Sequence, residues 1–205
     1  MMKRVLLLPV LLLLSLTGLR AADVLVSEQT PLSPTEMLTL RHPASYHFAV
    51  VKEVVDAFRP AICLRLVNAQ GSNSVVFKIF AGKILGDGPQ TQLDLNAAVQ
   101  KMNQVYVPAS VEKTNLVFQL RLDQSGAFGA YGVFTDASLI HVVQPPADQY
   151  RIITMGLVRI GGYLFSIRGG SNDKDSADYE NVVATLNTLK VLPRPPEDKS
   201  QPQQL

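Results

Sequence analysis

The chain has 205 residues, of which 47% are hydrophobic, 18% charged and 7% aromatic, with one Cys and no Trp. This composition is typical of a globular domain and excludes a disordered, collagen-like or disulfide-stapled chain. The formal charge of +2 includes three bases and no acid within the first 21 residues, so the remainder has 16 basic and 17 acidic side chains and offers no basic excess for binding a nucleic acid.

The first 21 residues have the order of parts found in a secretory signal peptide. Lys3 and Arg4 form a positive start, residues 5–14 are an unbroken apolar run, and Ala21 is a small residue at the expected cleavage point. The apolar run is shorter than the roughly 18–20 residues that span a bilayer. We therefore predict cleavage near Ala21 and a periplasmic or secreted protein, with an uncleaved N-terminal anchor as the alternative.

Residues 22–44 are predicted to form an N-terminal segment that contains a short helix. Ser33-Pro34-Thr35-Glu36 has the pattern of a capping box with proline at the first helical position, and Pro43 would end the helix. Residues 47–58 also have apolar side chains at helical spacing, although four of the five are valines, which favour strands. We predict a helix here, and the choice between helix and strand stays open.

Residues 45–192 are predicted to form a single α+β domain. Residues 61–68 and 75–81 are rich in strand-forming residues and are separated by Gln70-Gly71-Ser72-Asn73, which is typical of a hairpin. After a loop rich in Gly and Pro, one apolar stripe behind a candidate cap at Asp94 predicts an amphipathic helix over residues 94–105.

Two further hairpins are predicted after this helix. Their turns are Gln124-Ser125-Gly126 and Gly161-Gly162, and a Gly-Gly pair supplies the positive φ that a tight turn requires. Alternation of apolar and polar side chains is clearest in the first of the four strands. The predicted strands are residues 115–123, 127–135, 150–159 and 163–168.

The C-terminal part is predicted to be a helix followed by a tail. Residues 177–189 have one apolar face behind a cap at Ser176. Residues 193–205 are rich in proline, bury almost nothing and are predicted to be disordered. The predicted fold class is therefore α+β: an antiparallel sheet of about six strands from successive hairpins, covered by two to four helices.

This order of elements, with the closing segment GGYLFSIRGGSNDKDSADYENVVATLNTLKV, resembles the PsbP-like and DcrB-like α-β-α sandwich proteins. In these proteins a final hairpin strand runs through a polar loop into a C-terminal helix. The resemblance covers about residues 45–192 and rests on topology, so no individual residue is carried over. It implies an accessory or binding protein, exported or attached to a larger assembly, and not an enzyme.

Patterns for catalysis or metal binding are weak in this sequence. Cys63 lies in a predicted strand, where a thiol is usually a small buried hydrophobe. His42, His47 and His141 match no zinc spacing, although His141 is a candidate base. We predict no metal and no cofactor.

Two segments are candidate ligand-binding sites. Arg168-Gly169-Gly170-Ser171 leads towards a helix N-terminus, where backbone N–H groups can bind an anion, but nearby acidic residues favour a capped surface loop instead. Phe128, Gly129 and Tyr131 belong to a glycine-bearing strand that either packs against a helix or forms the floor of a small-ligand cleft.

These observations predict an exported, non-enzymatic accessory or binding domain that interacts with a protein or an envelope component through a sheet face or the tail. One alternative is a carrier of a small apolar ligand, bound between the glycine-bearing strand and a helix. The other is a hydrolase-type enzyme whose site is assembled from distant residues. Nucleic acid is not an expected partner, and the mature chain has no expected membrane span.

Overall fold

The structure is a computed structural model that describes residues 24–56, 59–68, 75–83 and 88–195. Within these ranges the chain forms ten β-strands, two α-helices and one turn of 3₁₀ helix. The predicted signal peptide and residues 196–205 of the predicted tail lie outside the described residues, as does the predicted hairpin turn at residues 70–73.

The strands form two antiparallel sheets. The smaller sheet has the order β1-β2-β10, and the larger one has the order β3-β4-β5-β9-β8-β7-β6. The strands are β1 (Leu25–Pro31), β2 (Glu36–Pro43), β3 (Tyr46–Asp56), β4 (Arg59–Asn68), β5 (Val75–Lys83), β6 (Phe118–Leu120), β7 (Phe128–Thr135), β8 (Ile152–Ile160), β9 (Tyr163–Ser171) and β10 (Lys190–Pro193). The α+β class and the antiparallel pairing agree with the prediction, whereas about six strands was too few.

The two helices pack on opposite faces of the seven-stranded sheet. Helix α1 (Gln92–Asn103) lies over β7 and β8 and buries Leu95 and Val99 against Ala130. Helix α2 (Ala177–Asn187) lies on the other face together with the three-stranded sheet. The larger core forms on this face. Each fully buried large apolar side chain in it contributes about 1.5–3 kcal/mol to the free energy of folding. Its members include Leu38, Phe77, Phe165, Ile167, Val182 and Leu186.

The predicted helix after Ser33 is wrong, because Glu36 begins strand β2. Leu38 and Leu40 are both buried, and residues two apart lie on the same face of a strand but not of a helix. The polar side chains of the expected capping box do contact one another: the Ser33 hydroxyl donates to the Glu36 carboxylate at 3.3 Å. That contact stabilises the turn between β1 and β2 instead of a helix end.

The predicted helix over residues 47–58 is also wrong, because residues 46–56 form strand β3. Pairing with β4 runs along β3 from Tyr46 opposite Asn68 to Asp56 opposite Arg59. The preference of valine for strands therefore prevails over the helical spacing once a partner strand is available.

The described helices begin at threonine and serine caps. The Thr91 hydroxyl accepts from the backbone N–H of Asp94 at 3.1 Å, and the Asp94 carboxylate accepts from that of Thr91 at 3.0 Å. Asp94 is thus the third helical residue, which completes a capping box with Thr91, and not the cap itself; the Thr91 hydrogen bonds lower the pKa of Asp94. Ser176 caps α2, as predicted.

The strand predicted over residues 115–123 is reduced to Phe118–Leu120. The following backbone instead pairs with the end of α2, where the Arg121 N–H donates to the Asn187 side chain at 2.9 Å. At the C-terminal end, Pro193 belongs to β10, so the predicted tail boundary at residue 193 is too early. β10 forms because Val191 stands opposite Leu38 in β2 and packs on the core.

Candidate functional site

A cleft of about 380 Å³ opens on the face of the seven-stranded sheet that α1 covers in part. Strands β5, β8 and β9 form its floor, and the connection between β7 and β8 forms one wall; we call it the sheet cleft. Its apolar lining is Val76, Leu139, Ile153 and Met155, and its charged lining is Lys78, Asp136, Asp148 and Arg168. It therefore combines an apolar floor with a mixed-charge rim, as binding clefts commonly do.

The wall of the sheet cleft depends on a glycine beneath an aromatic ring. The Tyr150 ring lies against Gly170, so closely that a Cβ atom on Gly170 would be 2.3 Å from the Tyr150 Cδ2 atom. Only glycine leaves this space, and the ring can therefore contact the sheet and close one side of the cleft.

Arg151 holds the connection between β7 and β8 in place. Its side chain donates to the carbonyl oxygens of Leu139, Val142 and Val143, at 3.4 Å for the first and 2.8 Å for the last. The planar guanidinium group can bond several carbonyls at once, which an ammonium group matches poorly. Consequently the exposed loop that forms the cleft wall is tied to the rigid edge of β8.

Part of the first predicted site lines the sheet cleft. Arg168, Gly169 and Gly170 do so, but they lie in β9 and not in a loop. Their backbone is paired with β5 and β8, so the glycine N–H groups are not gathered around an anion as predicted. Ser171 is buried, and its hydroxyl donates to the Asp173 carbonyl at 2.9 Å. The glycines here make room for rings.

The second predicted site is divided between the two faces of the sheet, because neighbouring residues in a strand point in opposite directions. Phe128 lies on the α1 side, with the Arg159 guanidinium 5.8 Å from its ring centroid. Gly129 and Tyr131 lie on the other side, and only Tyr131 lines a cleft. These three residues therefore do not form one site.

Gly129 has a packing role in this structure. A Cβ atom there would lie 3.0 Å from both Leu120 Cδ1 and Val158 Cγ2, inside the larger core. Gly129→Ala is expected to lower the free energy of unfolding by about 1–2 kcal/mol, because this core must shift to admit the methyl group. Urea denaturation measures the change. Gly162→Ala, whose new methyl group meets no atom of the described residues within 4 Å, serves as the control. Unchanged stability with loss of a copurifying ligand would instead favour the ligand-floor interpretation.

A second cleft, of about 260 Å³, lies between β7 and the start of α2; we call it the helix cleft. Its lining is Leu116, Phe118, Tyr131, Val133 and Tyr179, with Glu112, Thr114 and Lys174 as the polar part. Burial raises the pKa values of Tyr131 and Tyr179, so both phenols are neutral at physiological pH. Among the described lining residues, the helix cleft has two charged side chains and the sheet cleft has four.

Glu112 supplies the fixed negative charge of the helix cleft. Burial acts to raise its pKa, but hydrogen bonds from the Thr135 hydroxyl at 2.6 Å and the Thr135 N–H at 2.9 Å hold the pKa below its usual value. Lys174 acts in the same direction. The Glu112 carboxylate therefore stays ionised, and both of its oxygens already accept hydrogen bonds from Thr135.

The candidate catalytic and metal-binding side chains do not gather at either cleft. His42 is buried, stacks on Phe48 and donates from Nδ1 to the Pro43 carbonyl at 2.8 Å, whereas His141 is exposed. The backbone of Cys63 lies in β4. In the described part of the chain, no three His, Cys, Asp or Glu side chains are close enough to hold a metal ion, and no helix is long and apolar enough to cross a membrane.

Three further residues that shape the sheet cleft, Lys78, Tyr150 and Arg151, are not indicated as site residues by the sequence. Tyr150 falls at the start of a predicted strand, and Arg151 has no distinguishing pattern. One signal in the sequence was available. In Val76-Phe77-Lys78-Ile79-Phe80, alternate residues share one face of the strand, so Lys78 lies between the apolar Val76 and Phe80. It indicates a cation on a largely apolar sheet face.

Comparison with known proteins finds a similarity to a solved structure. No family model matches this chain, and no curated protein matches it. Among solved structures, the chain is similar to the solution structure of cyanobacterial PsbP (CyanoP) from Synechocystis sp. PCC 6803, with a TM-score of 0.48 and 10% sequence identity, over 85% of this chain and 96% of that one. That structure is a PsbP, and the order of elements in this sequence resembles the PsbP-like proteins.

Proposed function

We propose that this chain is an exported, non-enzymatic accessory domain that binds a protein partner through the sheet cleft. The observation that carries the proposal is the sheet cleft itself, whose apolar floor belongs to three paired strands and whose wall is tied down by Arg151. Among its described lining residues there is no histidine, cysteine or serine, which supports binding over catalysis.

Exposed apolar side chains beside the cleft favour a protein as the partner. Ile140 and Val143 lie on the connection that forms the cleft wall, with 41% and 95% of their surface exposed. Arg151 donates hydrogen bonds to backbone carbonyls of this segment, so the segment is already ordered. A partner that contacts the two side chains therefore loses little conformational entropy of this segment on binding. Apolar groups around a cleft with a charged rim are typical of a protein–protein contact.

Native mass spectrometry of the mature chain, isolated gently from cells that export it, tests the proposal. Ile153→Trp and Gln149→Trp both add a large ring inside the sheet cleft, and Leu93→Trp adds the same ring on the exposed face of α1. We expect a protein-sized bound mass on the wild type and on Leu93→Trp, and its loss from both cleft variants. A bare chain, a lipid mass, or a protein retained by folded cleft variants would each contradict the proposal.

The helix cleft favours a second candidate function, the carrier of a small apolar ligand. It lies between the glycine-bearing strand β7 and helix α2, and the exposed Leu116 and Phe118 line it. In the same mass measurement, a carrier would hold a few hundred daltons that Val133→Trp removes and Ile153→Trp retains. No small bound mass on the wild type would reject this candidate.

A further inference from the structure

The inner end of the helix cleft carries two phenol groups that differ in their hydrogen bonding. The Tyr179 hydroxyl lies 2.9 Å from the Thr154 hydroxyl, and both side chains are buried. Burial raises the pKa of Tyr179 to about 12, and the Tyr131 phenol acts in the same direction, so the two phenols lie close together. The half-buried Tyr131, by contrast, has no hydrogen-bond partner for its hydroxyl among the described residues. One unpaired hydroxyl therefore remains at this end of the cleft.

The walls of the helix cleft are apolar and partly aromatic. The Phe118 ring lies 5.6 Å from the Tyr131 ring between centroids. Val133 follows Tyr131 by two residues in β7 and lies on the same face of the strand. Leu116 and Phe118 are exposed at the outer end of the cleft. An apolar ligand between these walls would remove their side chains from water, which favours its binding.

The charged groups of the helix cleft favour a ligand without charge. Among the described lining residues, Glu112 brings one negative charge and Lys174 one positive charge, so neither sign is in excess. Both Glu112 oxygens already accept hydrogen bonds from Thr135. An ionised ligand would lose its hydration here without an excess of opposite charge to replace it, which is costly.

We infer that the helix cleft binds an uncharged, largely apolar molecule with an oxygen acceptor, and that the Tyr131 hydroxyl donates a hydrogen bond to this oxygen. A buried tyrosine hydroxyl usually has a partner, and the described residues supply none for Tyr131. A ketone, an ester or an ether supplies the acceptor, whereas a hydrocarbon would displace water from the hydroxyl and return no hydrogen bond. This rests on the second candidate function, the carrier, and names the class of its ligand.

Two naphthalene derivatives of nearly equal shape test the inference by equilibrium dialysis against the full chain. One is 2-acetylnaphthalene, which has a carbonyl acceptor, and the other is 2-ethylnaphthalene, which has none. Tyr131→Phe is expected to weaken binding of the ketone about fivefold, the effect of one neutral hydrogen bond, and to leave binding of the hydrocarbon unchanged. The control is Tyr106→Phe, which removes a hydroxyl from a ring stacked on Phe134, on the other face of the sheet.

Two steric variants separate this inference from the carrier function. Val133→Trp should block both compounds, and Ile153→Trp, in the sheet cleft, should block neither. If Tyr131→Phe weakens the ketone no more than Tyr106→Phe does, or weakens both compounds equally, while Val133→Trp blocks both, the inference fails and the helix cleft remains the ligand site. If folded Val133→Trp blocks neither compound, or the wild type binds neither, both ideas fail.

Discussion

Replacing Gly169 with alanine is expected to lower the free energy of unfolding by about 3 kcal/mol, the upper part of the range for overpacked cores. A Cβ atom on Gly169 would lie 2.5 Å from two ring carbons of Phe77, which stands directly opposite in β5 and is fully buried. The Phe77 ring also packs against Tyr179, at 6.0 Å between centroids, so moving it away from the new methyl group disturbs a packed neighbour. Urea denaturation of the full chain measures the loss.

A control and a rescue distinguish this clash from a general effect of alanine. Gly82→Ala, also in the seven-stranded sheet, meets one backbone oxygen of the described residues, at the ordinary distance of 3.6 Å, and should change stability by less than about 0.5 kcal/mol. Phe77→Leu shrinks the opposing side chain, so the double variant with Gly169→Ala should lose clearly less than the sum of the single losses. Additive losses would show that the Phe77 ring is not the obstacle.

Replacing Tyr179 with phenylalanine is expected to reverse sign with pH. Burial raises the pKa of the Tyr179 phenol to about 12, above the value near 10 of an unfolded chain. The stabilising contribution of the neutral phenol is complete below pH 10 and is lost as the pH rises to 12, by about 2–3 kcal/mol. Near pH 8 the variant lacks the 2.9 Å hydrogen bond between Tyr179 and Thr154 and should be about 1 kcal/mol less stable. Near pH 12 it should be the more stable protein.

Thr154→Val separates the hydrogen bond from the ionisation. This variant also loses the bond to Tyr179 but keeps the buried phenol, so it should be less stable than the wild type near pH 8 and should still lose stability above pH 10. Urea midpoints at several pH values between 8 and 12 compare the three proteins. Parallel curves for the wild type and Tyr179→Phe would contradict burial as the cause of the raised pKa.

Consecutive glycines in β9 connect the stability of the core with the shape of the sheet cleft. Gly169 faces the larger core and admits the Phe77 ring, whereas Gly170 faces the other side and admits the Tyr150 ring. The sequence pattern predicts a polar loop at the same pair, with its backbone N–H groups as a candidate anion site and a capped surface loop as the favoured alternative. Pairing of β9 with β5 and β8 uses those N–H groups instead.

Local signals in the sequence were sufficient for several elements. Helix α2 begins at Ser176 as predicted, since a cap and an apolar stripe depend only on residues close in the chain. The hairpin at Gly161 formed as predicted because Gly161 has the positive φ, 56°, that its tight turn needs. The same kind of signal was misleading at Ser33, where the capping-box contacts occur in a turn between two strands.

The sequence by itself thus determined the α+β class, the antiparallel hairpins and both helices, because hydrophobic period, caps and turns are properties of neighbouring residues. Only the tertiary structure decided that residues 36–43 and 46–56 are strands, since partner strands satisfy their backbone groups better than an isolated helix would. The tertiary structure also determined which residues line the two clefts. Lys78, Tyr150 and Arg168 meet only through the register of β5, β9 and β8, and a register between strands distant in the chain is set by packing across the whole sheet.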